Sequence, residues 1–249
     1  DPKTKEPEPL LQFKTRALVH FAVSTDQVFM TTKLAGDATT FLPFNMGKPD
    51  GKGDRGAGNG PAPEGVGYPT WYLWHLVLQR DAWMSLLGNF LHLEKKDVEV
   101  NGKKEARETL IFPRYHQLDC VFQLVNQSAQ QGPGHNHLIQ HSAGSGKSNT
   151  IAWTAHWLAN LHNEDDEKVF HSVIVITDRR VLDKQLQDTI SQFEHKAGVV
   201  QKIDDNSKQL AAALNNGVPI VVTTLQKFPF ILESVGSLKD KSFALIIDE

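Results

Sequence analysis

Apolar and polar positions follow two rhythms along this chain, a short strand-like one at the start and a longer strand-and-helix alternation towards the end. Residues 17–23 form one short apolar run and residues 27–32 another, rich in β-branched and aromatic side chains. Ser24-Thr25-Asp26 supplies turn chemistry between them, so the pair predicts a β-hairpin or adjacent strands, with residues 40–44 as a third. A lone His20 in such a strand reads as structural. Residues 45–68 are dominated by glycine, proline and charge, too little apolar surface to offset the entropy of ordering, and predict a loop or linker. Between residues 71 and 93, Trp71, Trp74, Val77, Leu78, Met84, Leu87, Phe90 and Leu91 recur at helical spacing. The plain reading is a packed apolar face, although aromatic residues of this kind also stack on nucleic-acid bases. Residues 94–108 are charged around Asn101-Gly102, a hairpin-turn dipeptide, and read as an exposed insertion.

Beyond residue 109 the elements lengthen. Residues 110–119 lead into an amphipathic helix through Val121, Leu124 and Val125, and Leu138-Ile139 suits the end of a buried strand. A tight Ala143-Gly144-Ser145-Gly146 turn follows, then a helix over residues 150–161 with Ile151, Ala155, Leu158 and Ala159 on its apolar face. The continuous apolar run of residues 173–176 is typical of a strand buried on both faces of a parallel sheet. Leu182, Leu186, Ile190 and Phe193 mark the next helix, residues 208–215 another, residues 219–222 another buried strand and residues 243–247 a fourth. Strands alternating with helices predict an α/β fold around a parallel sheet.

The chemistry concentrates where strands meet helices. Residues 141–148, His-Ser-Ala-Gly-Ser-Gly-Lys-Ser, read as a phosphate-binding loop made of Ser142, Ala143, Gly144, Ser145, Gly146, Lys147 and Ser148. Gly144 and Gly146 let the backbone curl so that successive N–H groups point at phosphate oxygens, at a helix N-terminus whose dipole favours anions. Lys147 is placed to reach the β- and γ-phosphates of ATP and Ser148 to ligate Mg²⁺. His141 stands where the general pattern has Gly or Ala and reads as a loop-supporting side chain. Asp248-Glu249 closes the last apolar strand, and an acidic pair there suits a P-loop ATPase, with Asp248 holding Mg²⁺ and Glu249 polarising the attacking water. Gln117, in an Arg-aromatic-x-Gln element ahead of the loop, has both a donor and an acceptor for the N6 and N7 edge of adenine; the rival reading is a helix-start residue. Arg179 and Arg180 either touch a DNA phosphate or pair on the surface. Thr223, Thr224, Gln226 and Lys227 can grip a sugar-phosphate backbone without reading bases. His135, His137 and His141 lack a carboxylate or cysteine at ligand spacing, which argues against a zinc site.

Composition narrows the rest only a little. The 249 residues are 40% hydrophobic with a net charge of −3, enough to bury a core and too balanced to mark the whole surface as a polyanion binder. The one cysteine, Cys120, makes no intrachain disulfide and fits a reducing compartment. No apolar run reaches the roughly 18–20 residues of a membrane span, and the expectation is a cytoplasmic protein without a membrane partner. A polar, proline-rich opening and a close on Ile246-Ile247-Asp248-Glu249 read as a piece of a longer polypeptide.

Taken together these motifs resemble the endonuclease and motor (R) subunit of type I restriction enzymes, within the superfamily 2 helicases and translocases. The resemblance is carried by residues 18–23, 30–36, 41–45 and 56–59, by Phe112-Pro113-Arg114-Tyr115-His116-Gln117, by the His141-containing loop, by Thr177-Asp178-Arg179-Arg180 and by residues 223–228. It implies that residues 1–45 are the C-terminal strands of a PD-(D/E)xK-type nuclease domain whose catalytic residues lie upstream. Residues 46–108 would then be a glycine- and proline-rich linker with a helical segment, and residues 109–249 the first RecA-like lobe of a P-loop motor. It further implies ATP and Mg²⁺ as cofactors, and double-stranded DNA and the methylation and specificity subunits as partners. Two other readings stay open: a superfamily 2 helicase or remodeller without a nuclease, and a nucleotide-binding regulatory module that does not turn ATP over.

Overall fold

The computed structural model describes residues 8–48, 58–100, 103–177, 180–193, 198–203, 207–226 and 241–248. Two compact units divide the chain, residues 1–118 and 119–249. In the first, β1 (His20–Val23), β2 (Val28–Thr31) and β3 (Leu42–Pro43) form an antiparallel sheet in that order, with Phe21 opposite Met30 and Met30 opposite Leu42. The expected hairpin and third strand are both there. Val28, Met30 and Phe44 are buried, and Phe44 touches Phe21, Phe112 and Tyr115 in an aromatic cluster. Tyr72 packs on Tyr115 and donates its hydroxyl to the Phe44 carbonyl at 2.7 Å; burial raises its phenol above the usual tyrosine range.

Polar bonds fasten the Gly- and Pro-rich stretch where apolar surface is lacking. Asn59 donates to the Asp26 carbonyl (2.8 Å) and to Asn45 Oδ1 (3.1 Å), and accepts from Met46 N–H (2.8 Å). Residues 49–57, the centre of that stretch, lie outside the described residues. The helical reading of residues 71–93 resolves into a π-helical turn, Leu73–Val77, and α1, Arg80–Asn89. Gln79 between them is extended (φ −65°, ψ 145°), which resets the phase of the apolar face. Trp74 (54% exposed) and Met84 therefore face solvent, against the expectation of a continuous packed stripe. The charged insertion is a two-stranded antiparallel ribbon, β4 (His92–Val100) and β5 (Lys103–Ile111), with its Asn101-Gly102 tip outside the described residues. At its base Glu108 pairs with Lys14, whose hydrogen bond lowers the carboxyl's pKa.

Helix α2 (Tyr115–Gln131) begins in the first unit and continues into the second. Burial raises the thiol of Cys120, on this helix, to about 11, which leaves it inert as a nucleophile. The second unit holds α3 (Lys147–Ala159), β6 (Ser172–Thr177), α4 (Arg180–Gln192), β7 (Val200–Lys202), α5 (Ser207–Asn215), β8 (Ile220–Thr224) and β9 (Phe243–Ile247). The strands form one parallel sheet in the order β7-β8-β6-β9. The path from β6 to β7 crosses the sheet one way and the path from β7 to β8 returns, so right-handed crossovers place α4 and α5 on opposite faces. Packing agrees: Ile174, Ile176 and Val221 sit against Leu210, Ala213 and Leu214 of α5, while α4 pairs with α3 on the other side. His156 of α3 bonds the Ile190 carbonyl of α4 at 2.8 Å, and Trp153 meets Phe193 edge to face.

One expected strand is replaced by another. Leu138 is 96% exposed, and residues 133–140 are exposed with neither helix nor strand. Two apolar residues flanked by His137, Gln140 and His141 bury too little to offset the cost of ordering without a paired neighbour. The fourth strand is instead β7, pairing with β8. No helix among the described residues is long and apolar enough to cross a membrane.

Candidate nucleotide site

The loop before α3 has the backbone its sequence demands. Gly144 (φ 73°) and Gly146 (φ 87°, ψ 35°) lie in the left-handed region, and Ser145 N–H closes a turn on the Ser142 carbonyl at 3.2 Å. A Cβ on Gly144 would meet nothing within 4 Å, so conformation and not crowding requires glycine there. Gly146 is the N-cap of α3 in the left-handed conformation, and the helix dipole places partial positive charge at this end. Lys147 is exposed, Ser148, Gly146 and His141 half-buried, Ser142 and Ala143 exposed, and Ser145 buried.

The direction of α3 places this loop on the sheet. Val169 N–H bonds the Leu161 carbonyl at 3.0 Å, and His162 bridges Lys168, so the C-terminal end of α3 sits beside the start of β6. Helix α3 has 13 residues and β6 six; at roughly 1.5 Å and 3.3 Å per residue both span about 20 Å. Because α3 packs on β6 and runs back along it, its N-terminus lies at the C-terminal edge of the strands. Asp248 lies at the same edge: its N–H bonds the Ile176 carbonyl at 2.9 Å, carrying the β6–β9 ladder one residue past the strand. The Gly144/Gly146 loop and Asp248 thus share one edge of one sheet, where ligands of open α/β sheets bind.

Residues 116–249 match the SWI2/SNF2 ATPase family over more than half of the chain. The chain belongs to that family. It is also similar to curated endonuclease subunits of type I restriction enzymes. One from Staphylococcus saprophyticus subsp. saprophyticus is 28% identical over 162 residues, 64% of this chain and 16% of that protein. Two from Staphylococcus aureus, strains COL and MSSA476, are each 31% identical over 150 residues, 58% of this chain and 15% of theirs. The chain therefore spans about a sixth of the length of these relatives.

The remaining site residues of this SWI2/SNF2 ATPase segment are distributed unevenly. Gln117 is buried in the first turn of α2, and its Oε1 accepts the Arg114 N–H at 2.9 Å, the reciprocal half of a capping box. The amide expected to read adenine thus serves the helix start, the rival role that its position suggested. Glu249, Arg179 and Lys227 fall outside the described residues; Arg180 opens α4. Thr223 and Thr224 end β8 fully buried, whereas Gln226 beyond them is exposed. The pair is held inside because β8 is flanked on both sides, by β7 and β6. Sequence reading quoted Thr177 only within Thr177-Asp178-Arg179-Arg180 and gave it no role of its own; a polar side chain ending an otherwise apolar strand was the available signal.

Proposed function

We propose that this chain binds ATP with Mg²⁺ and works as the first RecA-like lobe, residues 109–249, of an ATP-driven DNA-translocating restriction subunit. The observation that carries the reading is the convergence of the α3 N-terminus and Asp248 on one edge of the parallel sheet. The residues present fit the cofactor: a left-handed Gly144/Gly146 turn opening a helix N-terminus and an exposed Lys147 suit a polyphosphate. Lys147 would neutralise the β- and γ-phosphates, Ser148 and Asp248 would hold the metal, Glu249 would polarise the attacking water, and Gln117 would read adenine. Bound Mg²⁺ supplies charge neutralisation of the phosphates. Residues 1–45 would close a PD-(D/E)xK-type nuclease domain and residues 46–108 would link it to the motor. In the parent protein hydrolysis would pull double-stranded DNA past Arg179, Arg180, Gln226 and Lys227, with Thr223 and Thr224 supporting that edge from within, until cleavage follows. Methylation and specificity subunits would complete the assembly.

Titration of the 249-residue chain with a fluorescent ATP analogue tests the reading. Binding is expected to be measurable, with negligible turnover. Lys147→Ala removes a charge-assisted contact to phosphate and should weaken binding by about 10- to 100-fold. An unchanged affinity in that variant would refute the loop assignment.

A further inference from the structure

The same sheet edge carries a hydroxyl that the site as described leaves idle. Thr177 ends β6, is 1% exposed, and its Oγ1 has no hydrogen-bond partner among the described residues. A buried polar atom without a partner is costly, and its persistence asks for a ligand. Alternation along the strand identifies the face it occupies. Ile174 and Ile176 point to α5, so Val173, Val175 and Thr177 point to the opposite face, which α3 covers. In β9, Ala244 pairs with Val173 and Ile246 with Val175; one step further the register sets Asp248 beside Thr177 on the same face. Thr177 and Asp248 are therefore cross-strand neighbours at the edge where the N-terminus of α3 arrives.

Two other buried hydroxyls without a partner among the described residues, those of Thr223 and Ser172, differ in place. Thr223 is paired with Ile176 and so faces α5, and Ser172 stands at the opposite end of β6. Thr177 alone of these three combines the edge, the face and the acidic neighbour.

We propose that Thr177 is a positioning residue of the metal–nucleotide site, its hydroxyl accepting a hydrogen bond from a water of the divalent cation held by Asp248. Magnesium gives up its waters reluctantly, so a site with few direct protein ligands needs acceptors for the waters it retains. This rests on the nucleotide reading above, and the test separates the two.

The unsubstituted chain, Thr177→Val and Thr177→Ser are titrated with the fluorescent ATP analogue in excess chelator and then across a Mg²⁺ series, and each is melted without ligand. For Thr177→Val, chelator-condition affinity stays unchanged and the Mg²⁺ midpoint rises about tenfold or more, as loss of such an outer contact does elsewhere. Its melting temperature is unchanged or higher, because the methyl replaces a hydroxyl that has no partner among the described residues. Thr177→Ser keeps the hydroxyl and the original Mg²⁺ midpoint. A Mg²⁺ midpoint for Thr177→Val within about twofold of the unsubstituted chain overturns the proposal. So does a failure of that variant to fold or a marked fall in its melting temperature, the sign of a hydroxyl bonded within the protein. Absence of nucleotide binding in the unsubstituted chain overturns the phosphate-loop reading and the Thr177 proposal with it.

Discussion

Gly144 shows how a single backbone angle sets a requirement that packing does not. Its φ of 73° lies in the left-handed region, yet a Cβ there would enter open space. Gly144→Ala should therefore weaken nucleotide binding through strain of about 1–2 kcal/mol, while Gly144→Asn, which tolerates this conformation better, should lose less. Isothermal titration of both variants checks the order. Equal losses would point to contact in place of conformation. The loop was legible in the sequence because glycine spacing and Gly-Lys-Ser encode local geometry. Gln117 was legible only as a pair of roles, since an amide that caps a helix and one that meets a base look alike in sequence. Thr177 was hidden because its meaning depends on a neighbour 71 residues away, brought alongside by the β6–β9 register.

Helices and strands were readable where their periodicity is long and unbroken. The apolar run of β6 and the amphipathic spacing of α4 and α5 fell where expected: β6 is buried throughout, and Leu186 and Ile190 of α4 and Leu210, Ala213 and Leu214 of α5 are buried. Strand β7 escaped notice: three residues, Val-Gln-Lys, carry no period, and only pairing with β8 makes them a strand. The π-turn at residues 73–77 and the extended Gln79 broke the helical phase in a way that composition does not signal. The contact between α3 and α4 is the densest test of these assignments, since Trp153 is fully buried against Phe193. Trp153→Ala should cost about 3–5 kcal/mol of stability, read from the midpoint of urea unfolding. Tyr72→Phe in the first unit, leaving the Phe44 carbonyl without its 2.7 Å donor, should cost a smaller 1–3 kcal/mol or so.

Across the molecule, the sheet of the described residues ends on β9. Leu245 and Ile247 (70% exposed) share the β9 face that α5 leaves uncovered, and β9 has no strand on its far side among the described residues. Such an edge invites pairing between copies. Leu245→Lys should leave the unfolding midpoint nearly unchanged while lowering self-association in sedimentation experiments. The solvent-facing run ahead of the phosphate loop has a consequence for handling the protein. No lysine or arginine occurs between Arg114 and Lys147, so trypsin has no site there, whereas chymotrypsin meets Leu138 fully in the open. A chymotryptic nick at that bond would cut the connection between α2 and α3, and slower nicking when ATP is added would support, without any label, the reading that the loop next to it closes on the nucleotide.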